Sequence, residues 1–133
     1  MAFELNKLAL RETTELLLRH PVTEEVLYAD DDESLPVTII IYGTSSKQYR
    51  NALTSMQNRQ LKRGKKTASA EQMREEGIEL LVACSDKVLN MTYNGKVVDN
   101  DDVFRSLYSD PAYSWVKDAV DAELGNTAAF MKE

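Results

Sequence analysis

The sequence contains very few of the residues that build reactive or covalently braced sites. It has one cysteine, Cys84, and one histidine, His20, among 133 residues. A lone cysteine excludes an internal disulfide, and there is no His/Cys cluster that could hold zinc. The phosphate-cradling pattern GxxxxGK(S/T) is also missing. We therefore expect no catalytic residues, no metal ligands and no cofactor, and we predict that the chain is not an enzyme.

Each of these two lone residues has an ordinary structural interpretation. His20 precedes Pro21 in a predicted turn, and a turn residue is the better interpretation than a general base. Cys84 falls on the apolar stripe of a predicted helix, which favours a buried structural thiol over a nucleophile.

Long apolar runs are missing as well. No stretch approaches the roughly 20 apolar residues that a membrane-spanning helix needs. The N-terminal sequence MAFELNKLAL lacks the basic flank and the long apolar segment of a signal peptide. We expect no membrane partner and a cytoplasmic location.

The charge is acidic overall, with a net value of −6. This excess argues against a dedicated nucleic-acid binder, which would usually be basic. Acids cluster at 30–33 and 99–102, and neither cluster has the spacing of a calcium-binding EF-hand loop. The run RQLKRGKK (59–66) is basic, and it reads either as the solvated end of a helix or as a surface for an acidic partner, including a second copy of the chain. The candidate partner or self-association residues are Arg59, Lys62, Arg63, Lys65, Lys66, Asp99, Asp101 and Asp102.

The first third of the chain has the pattern of a small sheet. The segment 14–29 reads as two short strands around a turn at His20, although a helix over 4–19 competes with the first of them. Val37 to Tyr42 is a continuous apolar, β-branched run, which predicts a strand at the centre of the sheet. These segments predict a three-stranded antiparallel sheet over about 15–42.

The rest of the chain has helical periodicity and recognisable helix ends. Ser45 with Gln48, and Ser69 with Gln72, have the capping-box spacing, and the first of these helices should end near Gly64. The apolar stripe predicted for the second helix consists of Met73, Gly77, Leu80, Leu81 and Cys84, widened by Ile78 and Val82.

Turn and capping residues also mark element boundaries towards the C-terminus. Asn94 and Gly95 predict a short hairpin near 89–98, with a plain turn as the alternative. A short helix should begin at Asn100 or Asp101, and a last one after Asp110 and Pro111, before a loose tail. We therefore predict one α+β domain over 1–133, with a β-rich part (1–43) and a helical part of three to four helices (44–133).

Four segments, in this order, resemble one family. They are RHPVTEEVL, VTIIIYGTSSKQYRNA, EEGIELLVACSDKVLNMTYNGKVVD and DPAYSWVKDAVDAELGNTAAF. The chain is similar over about residues 14–131 to the tail assembly chaperones of long, flexible-tailed phages and prophages. The residues that match its motifs are Arg19, His20, Pro21, Thr23, Gly43, Ser46, Tyr49, Arg50, Glu79, Leu80, Leu81, Cys84, Tyr93, Asn94, Gly95, Trp115, Val120 and Asp121.

The resemblance implies a non-enzymatic role in the host cytoplasm during phage assembly. Such proteins coat the tape measure protein, keep it soluble, associate with one another and are absent from the finished virion. A longer frameshifted form recruits the tail tube protein, and this chain would be the shorter product. The alternatives are another small phage protein, such as a tail-completion or head–tail joining subunit, and a nucleic-acid-binding regulator that uses residues 59–66.

Overall fold

The sheet is built around the apolar run that the sequence marks as its central strand. In the computed structural model, which describes residues 2–64 and 68–131, strands β1 (Thr13–Leu17), β2 (Thr38–Tyr42) and β3 (Ser85–Leu89) pair antiparallel in the order β1-β2-β3. β2 therefore has a neighbour on both sides, as predicted. The helix that competed for residues 4–19 is limited to a single 3₁₀ turn at Leu5–Leu8.

The prediction that Val26–Tyr28 supplies the third strand is wrong. Residues 20–25 form a tight turn, and the returning chain makes only isolated bridges, Arg19 with Val26 and Tyr28 with Pro36. A 3₁₀ turn begins at Ala29, so the return is too short to form a ladder. β3 takes this place instead, and the sheet combines segments from both halves of the chain.

The two faces of the sheet have different surroundings. Ile39, Ile41 and Val88 point to the inner face, where they are buried with side chains from the helices. Leu17 and Leu89, which pair with Thr38 from either side, point to the opposite face and are exposed. This difference follows from the period of two in a β-strand, which sends alternate side chains to opposite faces.

Helix α1 (Lys47–Arg63) begins one residue later than the sequence suggests. Ser46, rather than Ser45, is its N-cap, because the Ser46 hydroxyl accepts a hydrogen bond from the Tyr49 amide at 3.1 Å. The same hydroxyl donates to the Gly43 carbonyl at 2.6 Å, so it ties the end of β2 to the start of the helix. The helix ends at Gly64, as predicted.

Gly43 is required by packing rather than by an unusual backbone angle. A Cβ atom at this position would lie 2.5 Å from the Phe130 ring. Phe130 belongs to a 3₁₀ turn (Thr127–Phe130) and is only 3% exposed, so the prediction of a loose C-terminal tail is wrong for this residue. The ring is held because it fills the space that the missing side chain of Gly43 leaves.

Helix α2 (Ala70–Ala83) has the capping box predicted for Ser69 and Gln72, with both reciprocal hydrogen bonds present. Its buried residues within the helix are Ile78, Leu81 and Val82. The predicted stripe is wrong at its N-terminal end. Met73 is exposed and no atom lies within 4 Å of a Cβ built at Gly77, because the first half of α2 lies outside the core.

The later elements begin and turn at the residues that the sequence predicts. β4 (Thr92–Tyr93) and β5 (Lys96–Val97) form the short hairpin, whose turn residues Asn94 and Gly95 both have positive φ. Asn100 caps α3 (Asp101–Ser109). The Asp110 carboxylate caps a 3₁₀ turn at Pro111–Tyr113, which leads into α4 (Ser114–Leu124).

One hydrophobic cluster joins these elements. It includes Leu18 and Ile41 from the sheet region, Phe104 from α3, Val120 from α4 and Phe130 from the C-terminal turn. The fold is α+β, which confirms the predicted class, and in the described residues it contains three principal strands and four α-helices.

Candidate interaction surfaces

The predicted basic residues lie on the last turns of α1. Arg59 and Lys62 are exposed and Arg63 is half-buried, whereas Lys65 and Lys66 lie outside the described residues. α1 has five basic residues, no acidic residue and no fully buried residue. We call the segment from Arg59 to Arg63 the basic end of α1.

Arg63 makes an ion pair within the chain. Its guanidinium donates to the Glu76 carboxylate on α2 at 2.8 Å, and both side chains are less than one-fifth exposed. The hydrogen bond from Arg63 lowers the pKa of Glu76, and the charge of Arg59 adds to the effect. Arg63 therefore stabilises the α1–α2 hairpin, whereas Lys62 remains exposed.

The predicted acidic residues surround the first turn of α3. Asp99, Asp101 and Asp102 are all exposed, and Asp101 and Asp102 suit the positive end of the helix dipole. The Asp102 carboxylate accepts a hydrogen bond from Arg105 one turn later, at 3.1 Å.

Arg105 also links α3 to α2. Its guanidinium donates two hydrogen bonds to Glu79, at 2.6 and 2.9 Å. This fork lowers the pKa of Glu79 and raises that of Arg105. Among the described residues, no ion pair joins the predicted basic cluster to the predicted acidic cluster. Glu76 and Glu79 on α2 pair instead with Arg63 of α1 and Arg105 of α3.

His20 has a structural part in the turn after β1. Its Nδ1 atom accepts hydrogen bonds from the amides of Val22 and Thr23 at 3.1 and 3.2 Å. Arg19 donates to the Glu24 carbonyl at 3.1 Å across the same turn. The turn is thus well defined, and it carries Val22 exposed at its tip.

Cys84 is completely buried at the end of α2. Burial raises the pKa of its thiol to about 11, so the reactive thiolate is scarce at neutral pH. This agrees with the interpretation of Cys84 as a packing residue.

Residues 19–36 form an acidic lobe at one end of the sheet. The lobe contains six acidic residues and one arginine. It has an open cleft of about 640 Å³, bordered by Glu25 and Glu33 and lined by Val26, Leu27 and Tyr28. The sequence showed the acids at 30–33 and predicted the turn at His20, but the cleft depends on how residues 25–28 and Glu33 come together in the fold, which no local pattern indicates.

A second surface that sequence reasoning missed is the outer face of the sheet. We define the outer sheet face by Leu17, Ile40 and Leu89, with Glu15 and Lys87 as its charged neighbours. Leu17 and Leu89 flank Thr38 across the strands, and Glu15 and Lys87 flank Ile40 in the next row. The three adjacent leucines at 16–18 could have suggested a strand with apolar residues on both faces.

The chain before β1 is a third such surface. We call residues 2–10 the apolar arm, because its four large apolar side chains, Phe3, Leu5, Leu8 and Leu10, are all exposed. Phe3 is 68% exposed and Leu5 is 73% exposed. The arm ends at Arg11, whose amide donates to the Phe130 carbonyl at 2.7 Å.

Within residues 2–64 and 68–131, no group of three or more His, Cys, Asp and Glu side chains is placed to hold a metal ion. None of the helices in this part of the chain has the length and apolar character needed to cross a membrane. No protein-family model matches the chain, and neither does any curated protein or any solved structure.

Proposed function

We propose that this chain is a tail assembly chaperone of long-tailed phages or prophages, the shorter product of a frameshifted pair. It would bind the tape measure protein and keep it soluble in the host cytoplasm. It would also help to recruit tail tube subunits through the longer form, and it would leave before the virion is complete.

The ordered motifs support this proposal from the sequence. Their residues have defined structural tasks. His20 accepts two amide hydrogen bonds in the turn, Ser46 caps α1, and Asn94 and Gly95 form the hairpin turn. A protein of the same fold would need residues with similar capping and turn chemistry at these places, and this is how the ordered motifs support the proposal.

The observation that carries the proposal is the amount of large apolar side chain on the exterior. The outer sheet face and the apolar arm together present Leu17, Leu89, Phe3, Leu5 and Leu8 to solvent. Exposed apolar patches with polar rims are typical of protein-binding sites. A long helical protein with apolar faces is the kind of partner that such surfaces can cover.

The outer sheet face has the composition of an interface centre. Ile40 lies between Glu15 and Lys87, so charged groups border an apolar strip. Charge is usually depleted at the centre of an interface and retained at its rim. The backbone of β1 adds polar groups at the sheet edge. The amides and carbonyls of its even-numbered residues form hydrogen bonds with β2, so those of its odd-numbered residues point away from the sheet.

Co-expression with a candidate tape measure protein tests the proposal. We expect the tape measure protein to become soluble and to co-purify with the wild-type chain. The matched variant carries Leu17→Ser and Leu89→Ser, which leave the inner face intact, and it should recover less of the partner. A tape measure protein that aggregates equally with and without the wild-type chain would contradict the proposed function.

A nucleic-acid-binding regulator is the second candidate, and α1 is the observation that favours it. The helix has five basic residues and no acidic one, in a chain of net charge −6. Binding through this helix would depend steeply on salt, since phosphate contacts release counterions. Titration of the chain with duplex DNA at two salt concentrations distinguishes the two functions, and the chaperone proposal predicts no binding at either.

A further inference from the structure

The basic end of α1 carries a large apolar side chain that is exposed to solvent. Leu61 is 78% exposed, and its neighbour Lys62 is also exposed. Tyr49, Met56 and Arg63 lie along one side of α1 and are half-buried, and Arg63 on this side pairs with Glu76 of α2. The opposite side of α1 therefore presents Leu61 beside positive charge.

The cleft of the acidic lobe has the complementary character. Val26, Leu27 and Tyr28 give it an apolar lining, and Glu25 and Glu33 give it negative borders. Among the described residues, neither glutamate takes part in an ion pair. An apolar side chain next to a cation matches both properties of this cleft.

We propose that the basic end of α1 docks in the acidic lobe of a second copy of the chain. Leu61 enters the cleft against Val26 and Tyr28, and Lys62 faces Glu25 and Glu33. The inference rests on the proposed function only for its biological purpose, namely the self-association of the chaperone. The docking itself follows from the match of charge and apolar character on two surfaces of one molecule.

The contact is between copies rather than within one chain. The acidic lobe connects the end of β1 to the start of β2, whereas α1 follows the end of β2, so the two surfaces begin at opposite ends of the sheet. In the part of the chain that the structure describes, no ion pair joins them. A copy bound by its lobe still offers its own α1, and repetition gives a head-to-tail array.

A nucleic acid is the less suitable occupant of the basic end. The exposed Leu61 has no counterpart on a phosphate backbone, which presents charged groups along its length. An acidic protein surface with an apolar pocket accommodates both Leu61 and Lys62.

Sedimentation velocity of the purified full-length chain, without a tape measure protein, tests this docking. We expect concentration-dependent association at low salt that weakens as salt is added, because exposed charges are screened. Lys62→Glu should weaken association by roughly tenfold or more, since it places like charges together at the contact. The pair Glu25→Lys and Glu33→Lys should have the same effect from the other side.

Two further variants make the test specific. Combining Lys62→Glu with Glu25→Lys and Glu33→Lys in one chain restores opposite charges and should restore association. Lys96→Glu, an equal charge change on the exposed β-hairpin, should leave association unchanged.

The proposal is overturned if the wild-type chain stays monomeric, if the combined variant does not recover, or if Lys62→Glu abolishes duplex DNA binding without changing sedimentation. Failure to solubilise a tape measure protein would overturn the proposed function and leave the sedimentation result standing.

Discussion

On the inner face of the sheet, Ile39, Ile41 and Val88 are at most 3% exposed, whereas Leu17 and Leu89 on the outer face are 40% and 37% exposed. Both faces use aliphatic residues of similar size on the same three strands. The inner side chains meet the helices, and the outer ones meet solvent. Similar side chains therefore have different surroundings. Those of the inner face hold the fold together, whereas Leu17 and Leu89 leave apolar groups at the surface, where we propose that a partner binds.

Removing one side chain from each face should give very different losses of stability. Ile41→Ala deletes a fully buried side chain, and large-to-small changes of this kind cost about 2–5 kcal/mol of unfolding free energy. Leu17→Ala on the outer face should cost less than about 1 kcal/mol, because the side chain is already partly hydrated. Urea unfolding of both variants measures the difference, and equal costs would contradict the assignment of the faces.

A second prediction concerns the contact between Gly43 and the Phe130 ring. Gly43→Ala places a methyl group 2.5 Å from the Phe130 ring and should cost about 1–3 kcal/mol by overpacking. In a Phe130→Val background the ring is gone, so the same change should cost much less. A double-mutant cycle by chemical unfolding measures this coupling. Additive costs would show that Gly43 is needed for some reason other than the ring.

The smallest expected effect separates the two serines at the start of α1. Ser46→Ala removes a buried cap that makes two hydrogen bonds and should cost about 1 kcal/mol. Ser45→Ala should cost less, because the Ser45 hydroxyl makes one exposed hydrogen bond, to the Arg11 carbonyl. Thermal unfolding of the two variants distinguishes them. A larger loss of stability for Ser45→Ala would show that Ser45, as the sequence suggested, is the N-cap of α1.

Local signals predicted much of the fold. Capping at Ser69, the hairpin turn at Asn94 and Gly95, and the end of α1 at Gly64 all appear where the sequence places them. Each depends on residues within a few positions of one another. The central place of β2 was predictable for the same reason, since a continuous run of β-branched residues favours a strand with neighbours on both sides.

The misplaced elements depend on contacts between distant parts of the chain. β3 has only two large apolar residues, Val88 and Leu89, and becomes a strand because β2 offers an edge to pair with. Phe130 is buried because Gly43, far away in sequence, leaves room for its ring. No local pattern encodes either pairing.

The candidate surfaces were predictable in part. The sequence shows where basic and acidic residues cluster along the chain, but the pairing of Arg63 with Glu76 and of Arg105 with Glu79 required the helices to be placed side by side. The outer sheet face could not be separated from the inner one, because Leu16, Leu17 and Leu18 look alike in sequence. Only the register of β1 on β2 decides which of them faces solvent.

Amide hydrogen exchange, compared between the free chain and its complex with a tape measure protein, can locate the binding surface. We expect slower exchange in the complex over residues 2–17, including the outward-pointing amides of Thr13, Glu15 and Leu17, and unchanged exchange in α4. Protection confined to α4, or exchange in 2–17 that stays the same on binding, would contradict the assignment of the apolar arm and the outer sheet face as the binding surface.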